Sequence, residues 1–140
     1  MRVLLDTNVV LDVLLEREPH ADGAAQLFAL ADAGFIEGVL CATTVTTVHY
    51  IAARAVGPKR AEGLVRELLD LFAVAPVDAH VLNRAFDLGF DDYEDAVLHE
   101  AARAAGATAV CTRNTADFAK ALLPIFSPLE LLSAIRAAGR

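Results

Sequence analysis

Residues 3–8 of the chain read Val-Leu-Leu-Asp-Thr-Asn, and this stretch decides the fold. Three consecutive apolar residues that end at an acid are typical of a short strand buried in a sheet. Apolar residues then recur from position 9 to position 15, which predicts a helix over Asn8 to Leu15 that ends before Pro19. A buried strand that leads directly into a helix indicates an α/β protein.

The rest of the chain repeats this alternation of short apolar strands and helices. Further strands are predicted at 38–42, 72–75, 108–111 and 125–126, and further helices at 21–33, 46–56, 59–72, 78–88, 92–105 and from 128 onward. Strands that alternate with helices predict a parallel sheet covered on both faces. We therefore expect a three-layer α/β/α sandwich with a parallel sheet of four to five short strands. No linker or repeat divides the chain, so we expect one domain over residues 1–140.

Composition narrows the class of protein. The chain has 140 residues, 56% of them apolar, and a formal net charge of −7. The apolar content predicts a folded core, and no uncharged apolar run is long enough to cross a membrane. The first six residues are too short and too acidic for a signal peptide, so we expect a cytoplasmic protein with no membrane partner. Cys41 and Cys111 lie far apart in strand-like stretches and are predicted to be small buried hydrophobic residues.

The net charge also bears on function. A sequence-independent nucleic-acid binder usually presents a basic surface. A charge of −7 argues against such a coating role. It is compatible with an enzyme that gathers acids in one pocket, where divalent cations supply the positive charge.

Four acids fall at places where a parallel sheet forms a site. Asp6 ends the first strand, Asp117 follows the fourth, and Asp92 and Asp95 begin the helix that leads into the fourth strand. In open parallel sheets, ligands bind beyond the carboxyl ends of the strands. If the first and fourth strands are neighbours, these acids gather at one edge of the sheet.

Such a cluster of carboxylates favours a hard divalent cation, because the acids repel one another without one. Mg²⁺ and Mn²⁺ prefer oxygen ligands and activate water for attack on a phosphodiester. Three of the four acids also have a structural interpretation. Asp92 and Asp117 could cap a helix or turn, and Asp95 could lie in the first turn of a helix because an acid there suits the helix dipole. Asp6 shows no capping signal, so a site role is favoured most strongly there.

The order of these motifs resembles the PIN-domain family. The opening Met1 to Asn8 is similar to that family's first strand and Asp-Thr-Asn turn. Residues 92–96, Asp-Tyr-Glu-Asp-Ala, and residues 110–114, Val-Cys-Thr-Arg-Asn, followed by Asp-Phe at 117–118, resemble the second half of its signature. The resemblance spans nearly the whole chain. It implies a PIN-like fold and, since many small members are toxins of VapC type, an Mg²⁺- or Mn²⁺-dependent ribonuclease.

The resemblance also implies partners and residue roles. The partners would be an RNA substrate, a small antitoxin protein and a second copy of the chain in a homodimer. The metal-binding and catalytic acids would be Asp6, Asp95 and Asp117. The supporting polar residues would be Asn8, Thr112 and Asn114.

One position departs from the family pattern. Thr47 stands where the family usually has a Glu, near the start of the helix after the second strand. Asp92 or Glu94 would replace the missing charge, or the site would hold one metal through waters. A third interpretation is a degenerate PIN fold that binds RNA or protein without catalysis.

Two other enzyme or signalling classes also place an acid after the first strand. A phosphatase of the haloacid dehalogenase type requires Asp-x-Asp, and Asn8 cannot donate a carboxyl proton. A receiver domain requires an adjacent acidic pair there, which this chain lacks. Arg113 could bind phosphate through two hydrogen bonds or be a solvated loop cation. His99 is expected not to bind metal, because a hard cation does not call for imidazole.

Overall fold

A five-stranded parallel sheet forms the middle layer of the computed structural model, which describes residues 1–139. The strands are β1 (Arg2–Leu5), β2 (Glu37–Cys41), β3 (Ala73–Ala75), β4 (Ala109–Cys111) and β5 (Ile125–Phe126). Their order across the sheet is β3-β2-β1-β4-β5, and every neighbouring pair is parallel. The predicted α/β fold is confirmed, and so is the expectation that the first and fourth strands are neighbours.

Seven helices cover the two faces of this sheet among the residues described. They are α1 (Thr7–Leu14), α2 (Ala21–Asp32), α3 (Ala42–Val56), α4 (Pro58–Leu71), α5 (Ala79–Asp87), α6 (Tyr93–Ala104) and α7 (Pro128–Ala138). One core packs α1 to α4 and α7 against side chains such as Val3 and Leu5. The other packs α5 and α6 against Leu4 and Val110. Alternate residues of β1 thus enter opposite cores, as the side-chain period of a strand requires.

The helix boundaries follow local capping. Asp78 and Asp92 cap α5 and α6 by accepting hydrogen bonds from backbone N–H groups in the first turns. Ser127 opens α7 with a complete capping box, as the sequence predicts. Gly34 has φ of +82°, the left-handed conformation that lets the chain turn after α2.

Helix α3 differs most from its prediction. It begins at Ala42, four residues before the predicted Thr46. The β-branched residues at 43–47 resemble a strand extension, because Thr and Val favour extended backbone. Tertiary contacts override that preference: Thr44 is buried and its hydroxyl accepts a hydrogen bond from Thr7 Oγ1 at 3.1 Å. The earlier start places the side chains of Thr43 and Thr44 in the same cleft as Asp6, which directly follows β1.

Two other predictions concern membrane-spanning segments and the cysteines. No helix among residues 1–139 has both the length and the hydropathy needed to cross a bilayer. Cys41 and Cys111 are buried, as predicted, and both are free cysteines. Burial raises the pKa of the Cys111 thiol to about 12, so this thiol stays protonated near neutral pH.

Candidate active site

Asp6 lies directly beyond β1, where the strand passes into α1. Its Oδ1 accepts a hydrogen bond from Thr7 N at 2.7 Å, so Asp6 is the N-cap of α1. The expectation that it has no capping role is therefore wrong: the chain turns into a helix one residue after the acid, and the first orphan N–H lies within reach of its side chain. Burial nevertheless raises the pKa of Asp6, while hydrogen bonds from Thr112 and Thr7 partly offset this effect.

A hydroxyl at the end of the neighbouring strand orients Asp6. Thr112 follows β4, is fully buried and donates from Oγ1 to Asp6 Oδ2 at 2.8 Å. The backbone N–H of Asn114 donates to the same hydroxyl oxygen at 3.1 Å. Asn8 Nδ2 lies 3.4 Å from both Asp6 Oδ2 and Thr112 Oγ1, and Asn8 Oδ1 accepts from Arg113 N at 3.2 Å. This network joins the ends of β1 and β4 and fixes one face of the Asp6 carboxylate.

Asp95 supplies a second carboxylate from the first turn of α6. Its backbone N–H donates to Asp92 Oδ1 at 3.0 Å, which makes Asp92 the cap of the helix. The pKa of Asp95 is raised to about 7, first by burial and then by repulsion from Asp6, Asp92, Asp117 and Glu94. Neither Asp6 nor Asp95 forms an ion pair within residues 1–139. Neighbouring acids thus make the ionisation of both carboxyls less favourable.

Both carboxylates open into one cleft of about 360 Å³. The cleft also contains Glu94 and Thr47, the position at which the family pattern has Glu. Its remaining lining is Thr7, Asn8, Leu11, Arg17, Thr43, Thr44, Leu98, Arg113 and Asn114. The structure therefore brings Asp6, Asp95, Asn8, Asn114 and Thr47 to one place.

Asp117 lies apart from this group. It is exposed in a short 3-10 turn, Thr115–Phe118, and lines a second, smaller cleft with Asp91, Asp92 and Lys120. Its negative charge still raises the pKa of Asp95. Asp117 and Asp92 therefore act on the main cleft through electrostatic repulsion in this conformation.

A sequence model of the PIN domain matches residues 2–116. The chain belongs to the PIN-domain family. No curated protein sequence matches it.

Solved structures agree with a PIN fold. FitAcB from Neisseria gonorrhoeae aligns with a TM-score of 0.67 and 24% identity, over 91% of this chain and 98% of that one. A toxin–antitoxin complex from Klebsiella pneumoniae gives 0.70 and 22%, over 90% and 97%. A sarcin–ricin-loop-cleaving VapC toxin from Mycobacterium tuberculosis gives 0.63 and 15%, over 77% and 86%. At these identities the likeness shows the fold alone.

The donor set of the PIN cleft suits a hard cation. A carboxylate has about four acceptor positions. Asp6 uses three of them in its contacts to Thr7, Thr112 and Asn8, which leaves about one for a cation. Within residues 1–139, no three Asp, Glu, His or Cys side chains are arranged to hold one metal ion. Mg²⁺ is commonly bound by one or two carboxylates, with water and substrate phosphate completing its shell. Asp6 and Asp95 fit that mode of binding.

Three residues at or beside the site were not predicted from the sequence. Thr43 and Thr44 belong to a Thr-rich run whose hydroxyls reach the cleft only because α3 begins early. Asp12 is an acid within the apolar part of α1, residues 9–14, and it is fully buried against Arg17 and Arg113. An acid on the apolar face of α1 is a signal that could have identified it, because a buried acid requires a partner.

His99 has a structural role, as expected. It is fully buried, and its Nε2 accepts hydrogen bonds from Leu122 N at 3.1 Å and Leu123 N at 3.2 Å. Its Nδ1 lies 3.1 Å from Glu100 Oε2. Burial lowers the pKa of His99, in agreement with a neutral ring that accepts at Nε2.

Proposed function

We propose that this PIN domain is a divalent-metal-dependent endoribonuclease whose cleft carboxylates, Asp6 and Asp95, bind Mg²⁺ or Mn²⁺. The observation that carries this proposal is the pair of carboxylates in one cleft, neither of which forms an ion pair within residues 1–139. A protein tolerates such a pair at neutral pH by protonation or by binding a cation. The raised pKa of Asp95, about 7, places this choice near physiological pH.

The cation would supply two functions: it lowers the pKa of an attacking water and neutralises charge on the phosphate. The residues of the chain hold the geometry for this chemistry. Hydrogen bonds from Thr112 and from the N-terminus of α1 favour the ionised form of Asp6 against the effect of burial and fix its orientation, because both donate to its carboxylate. Asp92 holds Asp95 at the start of α6.

The other predicted acids would act from further away. Glu94 lines the cleft and can supply part of the charge that Thr47 lacks. Asp117 and Asp92 line the second, smaller cleft, where they would bind a second cation or hold a water when RNA is present. We keep Asp117 as a proposed catalytic residue on the basis of the family resemblance and its electrostatic effect on Asp95.

We further propose that the protein is the toxin of a toxin–antitoxin pair and forms a homodimer. The support for the toxin part is family membership together with the similar structures of a toxin–antitoxin complex and a sarcin–ricin-loop-cleaving toxin. The antitoxin would be a small protein that blocks the cleft. A stable complex with the product of an adjacent small reading frame, with loss of cleavage, would support this part of the proposal.

The cleavage assay uses structured RNA and single-stranded DNA with Mn²⁺, Mg²⁺ or EDTA. Wild type is compared with Asp6→Asn, Asp95→Asn and Asp117→Asn. Asp70→Asn is the matched control, because Asp70 is an exposed acid on α4 outside the cleft. We expect RNA cleavage that requires the metal and is lost in Asp6→Asn, Asp95→Asn and Asp117→Asn but kept in Asp70→Asn.

Equal cleavage by wild type and Asp6→Asn would refute the assignment of the site. RNA binding without cleavage at any metal concentration would instead favour a degenerate, non-catalytic module. The specific observations in favour of that second candidate are Thr47 at the position of the usual Glu and the lack of a three-ligand cluster in residues 1–139.

A further inference from the structure

Two arginines line the cleft that holds Asp6 and Asp95, and both are anchored on one buried carboxylate. Asp12, on α1, is fully buried. Arg17 Nε donates to Asp12 Oδ1 at 2.9 Å, and Arg113 Nε donates to Asp12 Oδ2 at 2.6 Å. A second bond runs from the outer nitrogen of Arg113 to Asp12 Oδ1 at 3.2 Å.

The anchoring leaves donors available to a ligand. A guanidinium has five N–H groups. Arg113 uses two of them on Asp12, and Arg17 uses one on Asp12 and one on the backbone oxygen of Asn8 at 3.3 Å. The side chain of Arg113 remains 28% exposed and that of Arg17 39%, while the Asp12 side chain that holds them has no exposed surface. The anion is thus inside the protein and the two cations face outward.

Charge distinguishes these arginines from the rest of the cleft. They are the basic side chains in its lining within residues 1–139, where Asp6, Glu94 and Asp95 supply negative charge. Together with Asp12 they carry a formal charge of +1. A chain with a net charge of −7 needs a local cationic site if it is to hold a polyanion.

We propose that Arg17 and Arg113 form a binding site for a backbone phosphate of RNA, and that Asp12 is the positioning residue that holds both guanidinium groups at the cleft. Planar guanidinium groups bind phosphate through paired N–H donors, which suits this arrangement. The proposal rests on the proposed function for its choice of RNA as the ligand. It makes a separate claim about binding, which can be measured without catalysis.

A purely structural network is the competing explanation. The two ion pairs connect the region after α1 with the loop after β4, and this connection alone could account for them. In that case an arginine substitution would change stability but not the salt dependence of RNA binding. For a single-stranded nucleic acid, log K falls as log salt rises, and each phosphate that the protein no longer neutralises makes this negative slope shallower by about 0.7.

The test measures anisotropy of a labelled single-stranded RNA bound to Asp95→Asn protein in EDTA, between about 50 and 200 mM KCl. Arg17→Gln and Arg113→Gln are added to this parent. Arg66→Gln is the control, because Arg66 pairs with Glu62 on the exposed face of α4, outside the cleft lining. We expect each of these two variants to bind RNA several-fold more weakly, with a salt slope that is shallower by about 0.7. The control should match the parent.

Two further variants keep the test decisive if a Gln variant does not fold. Arg113→Lys keeps the charge but cannot bind Asp12 and phosphate through one planar fork, so we expect a higher Kd with an unchanged slope. Asp12→Asn should raise the Kd although it raises the formal charge of the group from +1 to +2, because both arginines lose their anchor. Folding is checked by circular dichroism.

The proposal is overturned if folded Arg17 and Arg113 variants bind RNA with the Kd and slope of the Arg66 control, or if the parent binds no RNA. The proposed function fails separately. If wild type never cleaves RNA but its RNA binding still depends on Arg17 and Arg113, the phosphate site is supported and the nuclease function is refuted. If wild type cleaves RNA but the Arg17 and Arg113 variants keep the slope of the control, the nuclease function is supported and the phosphate site is refuted.

Discussion

Replacing Asp95 with Asn should stabilise the metal-free protein while removing its activity. Asp95 has a pKa of about 7 in the folded protein against an ordinary value of 3.8. At about 1.4 kcal/mol per pKa unit, ionised Asp95 costs the folded state about 4 kcal/mol. The side chain is partly exposed, so solvent screening reduces this to about 2 kcal/mol. The amide of the Asp95→Asn variant carries no charge, so the substitution removes that cost.

The effect has a defined pH dependence. Because the folded pKa is raised, the protonated carboxyl favours folding below pH 3.8, and this contribution is lost as the pH rises through about 7. We expect Asp95→Asn in EDTA to be more stable than wild type by about 2 kcal/mol near pH 8. The advantage should fall by at least half near pH 5, where folded wild type binds the proton.

Urea unfolding in EDTA measures this difference, with Asp70→Asn as the control for loss of one acid elsewhere. Saturating Mn²⁺ should reverse the order, since a ligand at about 100 times its Kd stabilises wild type by about 2.7 kcal/mol and the variant by much less. Equal stability of wild type and Asp95→Asn near pH 8, or a difference that does not change with pH, would refute the reasoning about uncompensated charge.

Three further outcomes follow from the site. Thr112→Val should cost about 2 kcal/mol in urea unfolding near pH 8, because buried Asp6 loses a hydrogen bond of 2.8 Å; a loss below about 0.5 kcal/mol would contradict the role of Thr112. Thr47→Glu should lower the Kd for Mn²⁺ and destabilise the protein in EDTA, and a Kd equal to that of wild type would show that Thr47 does not face the ion. The apparent Kd for Mn²⁺ should rise about tenfold per pH unit below pH 7, because protons compete at Asp95, and a Kd independent of pH would exclude that competition.

Much of the fold follows from local sequence. The apolar run at 3–5 and the Asp that ends it predict β1, and Ser127 with Glu130 predicts the start of α7 from capping alone. The start of α3 could not be predicted in this way, because its Thr-rich first turn favours strand locally and becomes helix through the contact between Thr44 and Thr7. That contact joins residues 37 positions apart.

The site shows the same division. Strand order brings Asp6 beside Thr112, and the placement of acids at strand ends anticipates this contact. The separation of Asp117 from the main cleft depends on the geometry of the short turn after Asn114, which residue types alone do not specify. The anchoring of two arginines on Asp12 depends on a contact that joins residues 101 positions apart, so it emerges only from the folded structure.

Calorimetric titration of Mn²⁺ into the protein at pH 7 tests the central claim most directly, with wild type compared with Asp95→Asn and Asp70→Asn in buffers of different ionisation enthalpy. With a pKa of about 7, Asp95 is half protonated at this pH, so Mn²⁺ binding should release about half a proton. We predict saturable binding with proton release in wild type and Asp70→Asn, and loss of both in Asp95→Asn. Equal Mn²⁺ binding by Asp95→Asn and wild type, or no binding by wild type at millimolar metal, would contradict the account.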